Sequence, residues 1–484
     1  MNISTSEIAK ILKRINDGKS TALKEVVDAL KRAKSIEGYN ATLELLEDDA
    51  LKRADEIDAK LEKKEKVGKL AGVPYIAKDN FLTTIGHTTA ASKILENFKS
   101  PINATSIEKL EAEGAILIGK SNLDSFAHGG STENSAFGPT KNAVDQTRVA
   151  GGSSGGSAVV VAKGVVPFAL GSDTGGSIRQ PASFNGVVGY KPTYGTISRY
   201  GVVAMASSTD VVGPIAATVK DAELVSEILS GQDGRDGTVL PDFFSDDVDS
   251  DNNADNNSSK NPSKKLKIGV ISEFMSDDVD LDVRNRTKEA IKHLKDLGHT
   301  VGEVSLPMTK YSLAIYYIVV PAELSSNLAR YDGIRYGLRS STAKTLADVY
   351  GQSRDQGFMD ENKRRIMIGS YVLSSGYFDA YYLKAQKART LLINEFNELF
   401  DNYDFLIGPT APTPAFKLGE NTHDPIKMYL ADIMTVPASL AGLPAISIPN
   451  GVSENGLSIG LQIIGPMRSD AKLLNLAKSL EVLS

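Results

Sequence analysis

Gly151-Gly-Ser-Ser-Gly-Gly-Ser157 is followed along the chain by Gly171-Ser-Asp-Thr-Gly-Gly-Ser177-Ile-Arg-Gln-Pro181. Both stretches are glycine- and serine-rich turns, and each sits at an apparent junction with a helix. Glycine is used where the backbone must adopt a positive φ or approach another group closely. A turn that enters a helix presents free N–H groups, which suit an anion or a developing oxyanion. The plain alternatives are two flexible loops or a phosphate cradle. The phosphate reading lacks the Gly-Lys-Ser/Thr ending of a P-loop.

The text around the turns sets the fold class. Residues 1 to about 65 read as a helical segment, with Leu43, Leu46, Ala50, Leu51 and Ala54 at intervals of three and four. Ser4 and Glu7 have capping-box spacing, and Ile8, Ile11, Leu12 and Ile15 follow at helical period. From about residue 66 short apolar runs at 115–119, 267–271, 405–408, 445–449 and 460–465 read as strands. Helical stretches at 283–297, 377–400 and 470–483 separate them. This alternation predicts an α/β fold: one α/β/α domain over 1–484, with a central mixed β-sheet flanked by helices. Residues 246–265 are rich in Asp, Asn, Ser and Lys and offer little to bury, so a disordered surface loop is expected there. An EF-hand starting at Asp247 fails, because its sixth position is Asn252 and its twelfth is Ser258.

Composition narrows the function. The chain has 484 residues, 41% hydrophobic and 24% charged, which is ordinary for a globular protein. Its net charge of −6 argues against a surface that grips DNA or RNA unaided. With no cysteine there is no disulfide, no thiolate nucleophile and no Cys-ligated metal. No apolar run reaches the ~20 residues of a membrane span. Met1 leads into polar residues, so no signal peptide is expected and a cytoplasmic location is.

Gly151-x-Ser153-x-Gly155 also fits the nucleophile elbow of α/β-hydrolases, but residues 145–150 make a poor buried strand before it. The chain has five histidines. His293, His299 and His423 follow the elbow in contexts that read as surface. A serine nucleophile without histidine needs another base, and lysine is the known substitute. Lys78, in Gly72-Val-Pro-Tyr-Ile-Ala-Lys-Asp-Asn80, directly follows a short apolar stretch. Two Ser-x-x-Lys pairs, Ser106–Lys109 and Ser341–Lys344, lie in helical text and read as incidental.

Together, the two turns and the Lys78 block resemble the amidase signature family. Further blocks are similar to the glutaminase subunits of tRNA-dependent amidotransferases within it. They include residues 130–142, Asp332-Gly-Ile-Arg-Tyr-Gly337, Lys363-Arg-Arg-Ile366, residues 374–382 and Gly408-Pro-Thr-Ala-Pro412. The resemblance covers nearly the whole chain. It implies a Ser–cisSer–Lys triad: Ser177 as nucleophile, Ser153 after a cis peptide as proton relay, and Lys78 as a base neutral at rest. Neutrality would require burial to lower the lysine pKa from about 10.4 toward 7, worth roughly 4–5 kcal/mol. Backbone N–H groups of Thr174, Gly175, Gly176 and Ser177 would form the oxyanion hole.

The resemblance further implies a glutamine substrate. Arg365 would bind its α-carboxylate, Asp432 its α-amino group, and Tyr316 would line the pocket. No cofactor or metal is implied in this chain. ATP and Mg2+ would belong to a B subunit that also binds tRNA, and a small C subunit would complete a heterotrimer. Ammonia would pass to the B subunit, converting Glu-tRNA(Gln) to Gln-tRNA(Gln), or also Asp-tRNA(Asn) to Asn-tRNA(Asn). A free-standing amidase on small or aryl amides, or a silent assembly scaffold, are the other readings; activity without partners separates the first, and loss of the triad would have marked the second.

Overall fold

The computed structural model describes residues 6–241 and 265–481. Ser4 and nearly all of 246–265 lie outside the described residues. Eleven strands form one sheet: β1 Thr42–Leu45, β2 Pro74–Lys78, β3 Ile116–Ser121, β4 Phe168–Asp173, β5 Val188–Lys191, β6 Val211–Ala216, β7 Lys267–Ile271, β8 Thr300–Val304, β9 Phe405–Pro409, β10 Ala445–Val452 and β11 Ser458–Ile464. Their order is β1-β3-β2-β4-β6-β5-β10-β11-β9-β7-β8. β2 is parallel to both β3 and β4, β7 is parallel to β8 and β9, and the other pairings are antiparallel. The mixed sheet expected from the sequence is therefore present.

Strand residues alternate between two cores. Tyr75, Ala77, Phe168 and Leu170 feed one face, together with Ile446 and Leu461. Ile76, Ile116, Ile118 and Ala169 feed the opposite face, packed against Val159 to Val161 of the helix Gly155–Ala162. Toward β9 and β7 that opposite face is filled by Leu406, Ala445 and Ile464, with Val319 and Val320 of the helix Thr309–Asn327. A period of two on both faces means that most strands are buried on each side, and they read as continuous apolar runs.

Three local expectations shift. The first helix is Glu7–Asn16, and its cap is Ser6, whose hydroxyl accepts from the Ala9 N–H at 2.9 Å. Within 1–65, three helices share the segment with an edge strand, β1, paired antiparallel with β3. Leu43 and Leu46, read at helical spacing, belong to or flank a four-residue strand too short to show its own period. The stretch 377–400 is helical as expected, but opens with a π-helical turn, Phe378–Leu383.

The parallel trio places the chemistry. β2, β3 and β4 all end at the same edge. Lys78 closes β2, Asp124 follows β3, and Asp173 closes β4 immediately before the second glycine turn. Crevices beyond strand carboxyl ends are where open α/β sheets bind ligands.

Candidate active site

Lys78 is fully buried. Its Nζ lies 2.7 Å from Ser153 Oγ, 2.9 Å from Ser154 Oγ, 3.0 Å from Ser172 Oγ and 3.3 Å from the Ser172 carbonyl. Every one of these partners is an uncharged oxygen. Burial is the main cause that lowers the amine to about 7, while the carboxylates of Asp124, Asp173 and Asp210 pull the other way. A base poised near neutrality is what general-base catalysis requires.

The Gly152–Ser153 peptide is cis. The two glycine turns are stitched together, since the Ser154 N–H donates to the Ser177 carbonyl at 3.1 Å. Gln180 braces the first turn by accepting from the Gly152 N–H at 2.9 Å and donating to the Gly130 carbonyl at 2.7 Å. The Asp124 N–H donates to the Ser153 carbonyl at 3.3 Å. Its carboxylate accepts from the N–H groups of Thr132 and Asn134 and is raised by burial to about 6.

The second turn runs from β4 into the helix Arg179–Asn185 and is anchored from below. Fully buried Arg179 grips Asp173 with two hydrogen bonds of 3.0 Å, and also donates to Gln462, Ser439 and the Thr435 carbonyl. Burial pushes the Asp173 carboxyl up, but the Arg179 charge and hydrogen bonds hold it below its usual range. Bidentate pairing of this kind fixes orientation as well as charge. Among the described residues the N–H groups of Gly175, Gly176 and Ser177 donate to no protein acceptor, and the Ser177 hydroxyl finds no partner. Free donors at a helix entry suit a developing oxyanion. Glycine is needed here for close approach. A Cβ on Gly175 would sit 2.8 Å from the Tyr316 ring, and one on Gly176 would strike the Thr435 hydroxyl.

Of the residues expected to recognise substrate, Tyr316 lies against Gly175. Its neighbour Tyr317, turned about 100° around the helix, lines the adjoining cavity of about 430 Å³. Arg365, Asp432, Asp124, His128 and Tyr429 line it too, and exposed His423 sits at its edge. Asp432 lies between the cavity and the nucleophile turn, its carboxylate 3.0 Å from where a Gly130 Cβ would be and 3.3 Å from a Gly176 Cβ. Its Oδ1 is shut off from solvent without a hydrogen-bond partner, and burial above all raises the carboxyl to about 7. Arg365 uses its Nε to donate to Glu361 at 2.8 Å and lies over the rings of Tyr317 and Tyr429, which stack at 3.8 Å. Its terminal amino groups make only a long 3.5 Å contact, to Tyr317 OH. The Arg365 cation and the orphaned Asp432 carboxylate in this cavity together complement a zwitterion; Arg364 and Glu133, whose Oε2 is also unpartnered, line it too.

Several site residues carry no sequence signal of their own. Asp124, His128, Glu361 and Tyr429 come from a loop and two helices far apart in the chain. Ser154 and Ser172, by contrast, stand in plain view inside the two glycine turns. Among the described residues no group of three or more His, Asp or Glu side chains is arranged to hold a metal ion, and no helix is long and apolar enough to cross a membrane.

The fold and this site define a class: the chain belongs to the Amidase family, whose model matches residues 25–474. Within it, the chain is similar to the A subunit of glutamyl-tRNA(Gln) amidotransferase from Koribacter versatilis, 48% identical over 99% of this chain and 98% of that protein. It is likewise 48% identical to the protein of that name from Staphylococcus epidermidis, over 99% and 96%. The crystal structure of the corresponding A subunit from Thermotoga maritima superposes with a TM-score of 0.72 at 46% identity, covering 87% of this chain and 85% of that one. A structure described as a vestigial protein complex bearing on the origins of an s-triazine catabolic enzyme superposes with a TM-score of 0.83 at 30% identity, covering 98% of both chains.

Proposed function

We propose that the chain is the glutamine-hydrolysing subunit of a tRNA-dependent amidotransferase, with Ser177, Ser153 and Lys78 as its triad. The observation that carries the reading is the oppositely charged pair, Arg365 and Asp432, facing one cavity beside the nucleophile turn. The likeness in sequence to amidotransferase A subunits over nearly the full length supports it.

In this reading Ser177 Oγ attacks the carbonyl carbon of the glutamine side-chain amide. Its proton passes to Ser153 Oγ as Ser153 yields its own to Lys78 Nζ. The oxyanion collects hydrogen bonds from the N–H groups of the Thr174–Ser177 turn. Lys78, through Ser153, returns the proton to the departing nitrogen, and ammonia leaves a glutamyl ester on Ser177. Water then attacks that ester by the same relay. Arg365 takes the α-carboxylate, Asp432 the α-ammonium, and Tyr316 walls the oxyanion side. A partner B subunit, with ATP, Mg2+ and tRNA, consumes the ammonia, and a small C subunit joins the two in the cytoplasm. The acidic net charge of −6 fits a chain that leaves tRNA to its partner.

A superposition with a TM-score of 0.82 at 30% identity on a structure described as an amidase supports a second reading, a free-standing amidase. Purification from the native host decides between them. Co-purifying B and C subunits, with ammonia released from glutamine and passed to Glu-tRNA, are the expected result. A solitary chain hydrolysing apolar amides in preference to glutamine would establish the amidase instead.

A further inference from the structure

His128 is fully buried, and its Nε2 has no hydrogen-bond partner. A buried polar atom left unpaired is costly and calls for an explanation. The surrounding network fixes which ring nitrogen carries the proton. Asn362 Oδ1 accepts from the Met359 N–H at 3.1 Å and from the Ser125 hydroxyl at 2.9 Å. A backbone N–H can only donate, so the amide orientation is set. Asn362 Nδ2 therefore faces the Ser125 carbonyl at 2.9 Å and His128 Nδ1 at 2.6 Å. His128 Nδ1 must accept, which leaves the proton on Nε2. Burial, reinforced by the Arg365 charge, holds the imidazole well below its usual range, so the ring is neutral. The orphaned atom is thus an N–H donor that lacks an acceptor.

The same network says where that donor stands. Asn362 and Arg365 are three residues apart on the helix Asp360–Val372, on one face of it. A ring held by Asn362 consequently lies beside the guanidinium. His128 and Arg365 line the same cavity. The histidine backbone is held as well, because its carbonyl accepts from Asn134 Nδ2 at 2.9 Å and the Asn134 N–H is bound by Asp124. A rigid, neutral donor next to a cation whose terminal amino groups make only one long contact, to Tyr317 OH, is complementary to a carboxylate.

We propose that His128 Nε2–H donates a hydrogen bond to the α-carboxylate of the substrate, sharing that group with Arg365. This rests on the reading of the substrate as glutamine. His128 is then a specificity residue that distinguishes an amino-acid amide from a simple amine-bearing amide.

The test compares kcat/KM for L-glutamine with that for γ-aminobutyramide, the same molecule without the carboxylate. It uses the chain with its partner subunits, as wild type, His128→Phe and His128→Gln. Phenylalanine fills the ring volume without a donor, and glutamine keeps a donor at the Nε2 position. His128→Phe should lower the preference for L-glutamine by roughly 10- to 100-fold, mainly through KM. His128→Gln should retain most of it. A wild-type preference in His128→Phe, or equal loss on both amides, overturns the role. Should His128→Phe fail to fold, nitrogen-15 NMR of the Ser177→Ala protein decides. The His128 Nε2–H resonance should move downfield on adding L-glutamine and stay in place with γ-aminobutyramide, and no movement with either overturns the proposal. If wild type with its partners does not hydrolyse glutamine at all, the functional reading falls and this inference with it. If it does, and only the His128 result fails, the functional reading stands.

Discussion

The two ends of the site are built from opposite materials. At the catalytic end, Lys78 is surrounded by three serine hydroxyls and a carbonyl, with no carboxylate in hydrogen-bond reach. At the recognition end, Arg365 is already paired with Glu361 and covered by aromatic rings, while Asp432 has an orphaned oxygen. One strand away from Lys78 lies a control for this contrast. Lys120 on β3 is equally buried, but it pairs with Asp79 at 3.1 Å and donates to the carbonyls of Phe81 and His87. A buried lysine among hydroxyls can lose its proton and become a base. One beside a carboxylate has a countercharge that favours keeping its proton, although burial lowers the Lys120 amine and raises the Asp79 carboxyl. The partners, more than the burial, separate chemistry from architecture.

The largest effect should come from breaking the catalytic end. Ser177→Ala should abolish ammonia release from glutamine, and Lys78→Ala and Ser153→Ala should each lower kcat by about 10^3-fold or more. The double variant Lys78→Ala/Ser177→Ala should be no worse than Ser177→Ala, because the three act as one unit. Purified proteins and a direct ammonia assay check this, and wild-type rates in Ser177→Ala would remove the nucleophile assignment.

Next in size is the contrast between the two lysines. Lys120→Met strands the buried Asp79 carboxylate, and breaking such a pair costs about 3–5 kcal/mol. Lys78→Met removes an amine that titrates near 7 and strands no carboxylate partner, so its stability should change far less, although its activity should be lost. Denaturant unfolding of both variants measures the difference. Adding Asp79→Asn to Lys120→Met should recover much of the loss. Equal destabilisation by the two substitutions would erase the distinction between them.

This contrast also explains what the sequence could disclose. The residues of the proposed catalytic end stood out in the sequence because its parts are dense and local, although their roles were reached through resemblance. Two turns carry Ser153, Ser154, Ser172, Thr174 and Ser177, and a short strand ends in Lys78. The recognition end did not stand out, because tertiary packing assembles it. His128, Tyr317, Glu361, Tyr429 and Asp432 lie up to three hundred residues apart, and each reads alone as a helix or loop residue. Arg365 and Asp432 were reached only through resemblance. In the fold, short apolar runs announced β3, β7, β9, β10 and β11, whereas β1 was among the strands that escaped notice. Its four residues are all half-buried at a sheet edge, so no alternation marks them.

A third test acts on the recognition end alone. Arg365→Ala should lower kcat/KM for glutamine by roughly 10- to 150-fold, the range for a charge-assisted hydrogen bond in a partly desolvated pocket. The loss should be much smaller for γ-aminobutyramide, with Ser177 still reactive. Equal loss on both would make Arg365 a structural residue, held for the sake of Glu361 and the tyrosine stack.

The smallest and most discriminating effect is in the pH profile, because each end contains a group that must lose its proton near pH 7 for the proposed reaction to proceed. Lys78 falls to about 7 and must be neutral to accept a proton. Asp432 rises to about 7 and must be ionised to hold the substrate ammonium. Both requirements have the same sign, since activity appears as each proton is lost with rising pH. The profile of kcat/KM reports the free enzyme, so its acid limb for glutamine should approach a slope of two on a logarithmic scale. Glutaramate, which lacks the amino group, has no use for ionised Asp432, and its limb should have a slope of one. Asp432→Asn should reduce the glutamine slope to one at a lower overall rate. Asp432 is not among the carboxylates that set the Lys78 pKa, so the remaining midpoint should stay near 7. One pH unit below that midpoint the second proton is worth about tenfold in rate, well within kinetic resolution. A slope of one for glutamine in the wild type would mean that Asp432 does not titrate in this range. The two ends of the site would then differ in charge state as well as in material, and Lys78 alone would set the pH dependence.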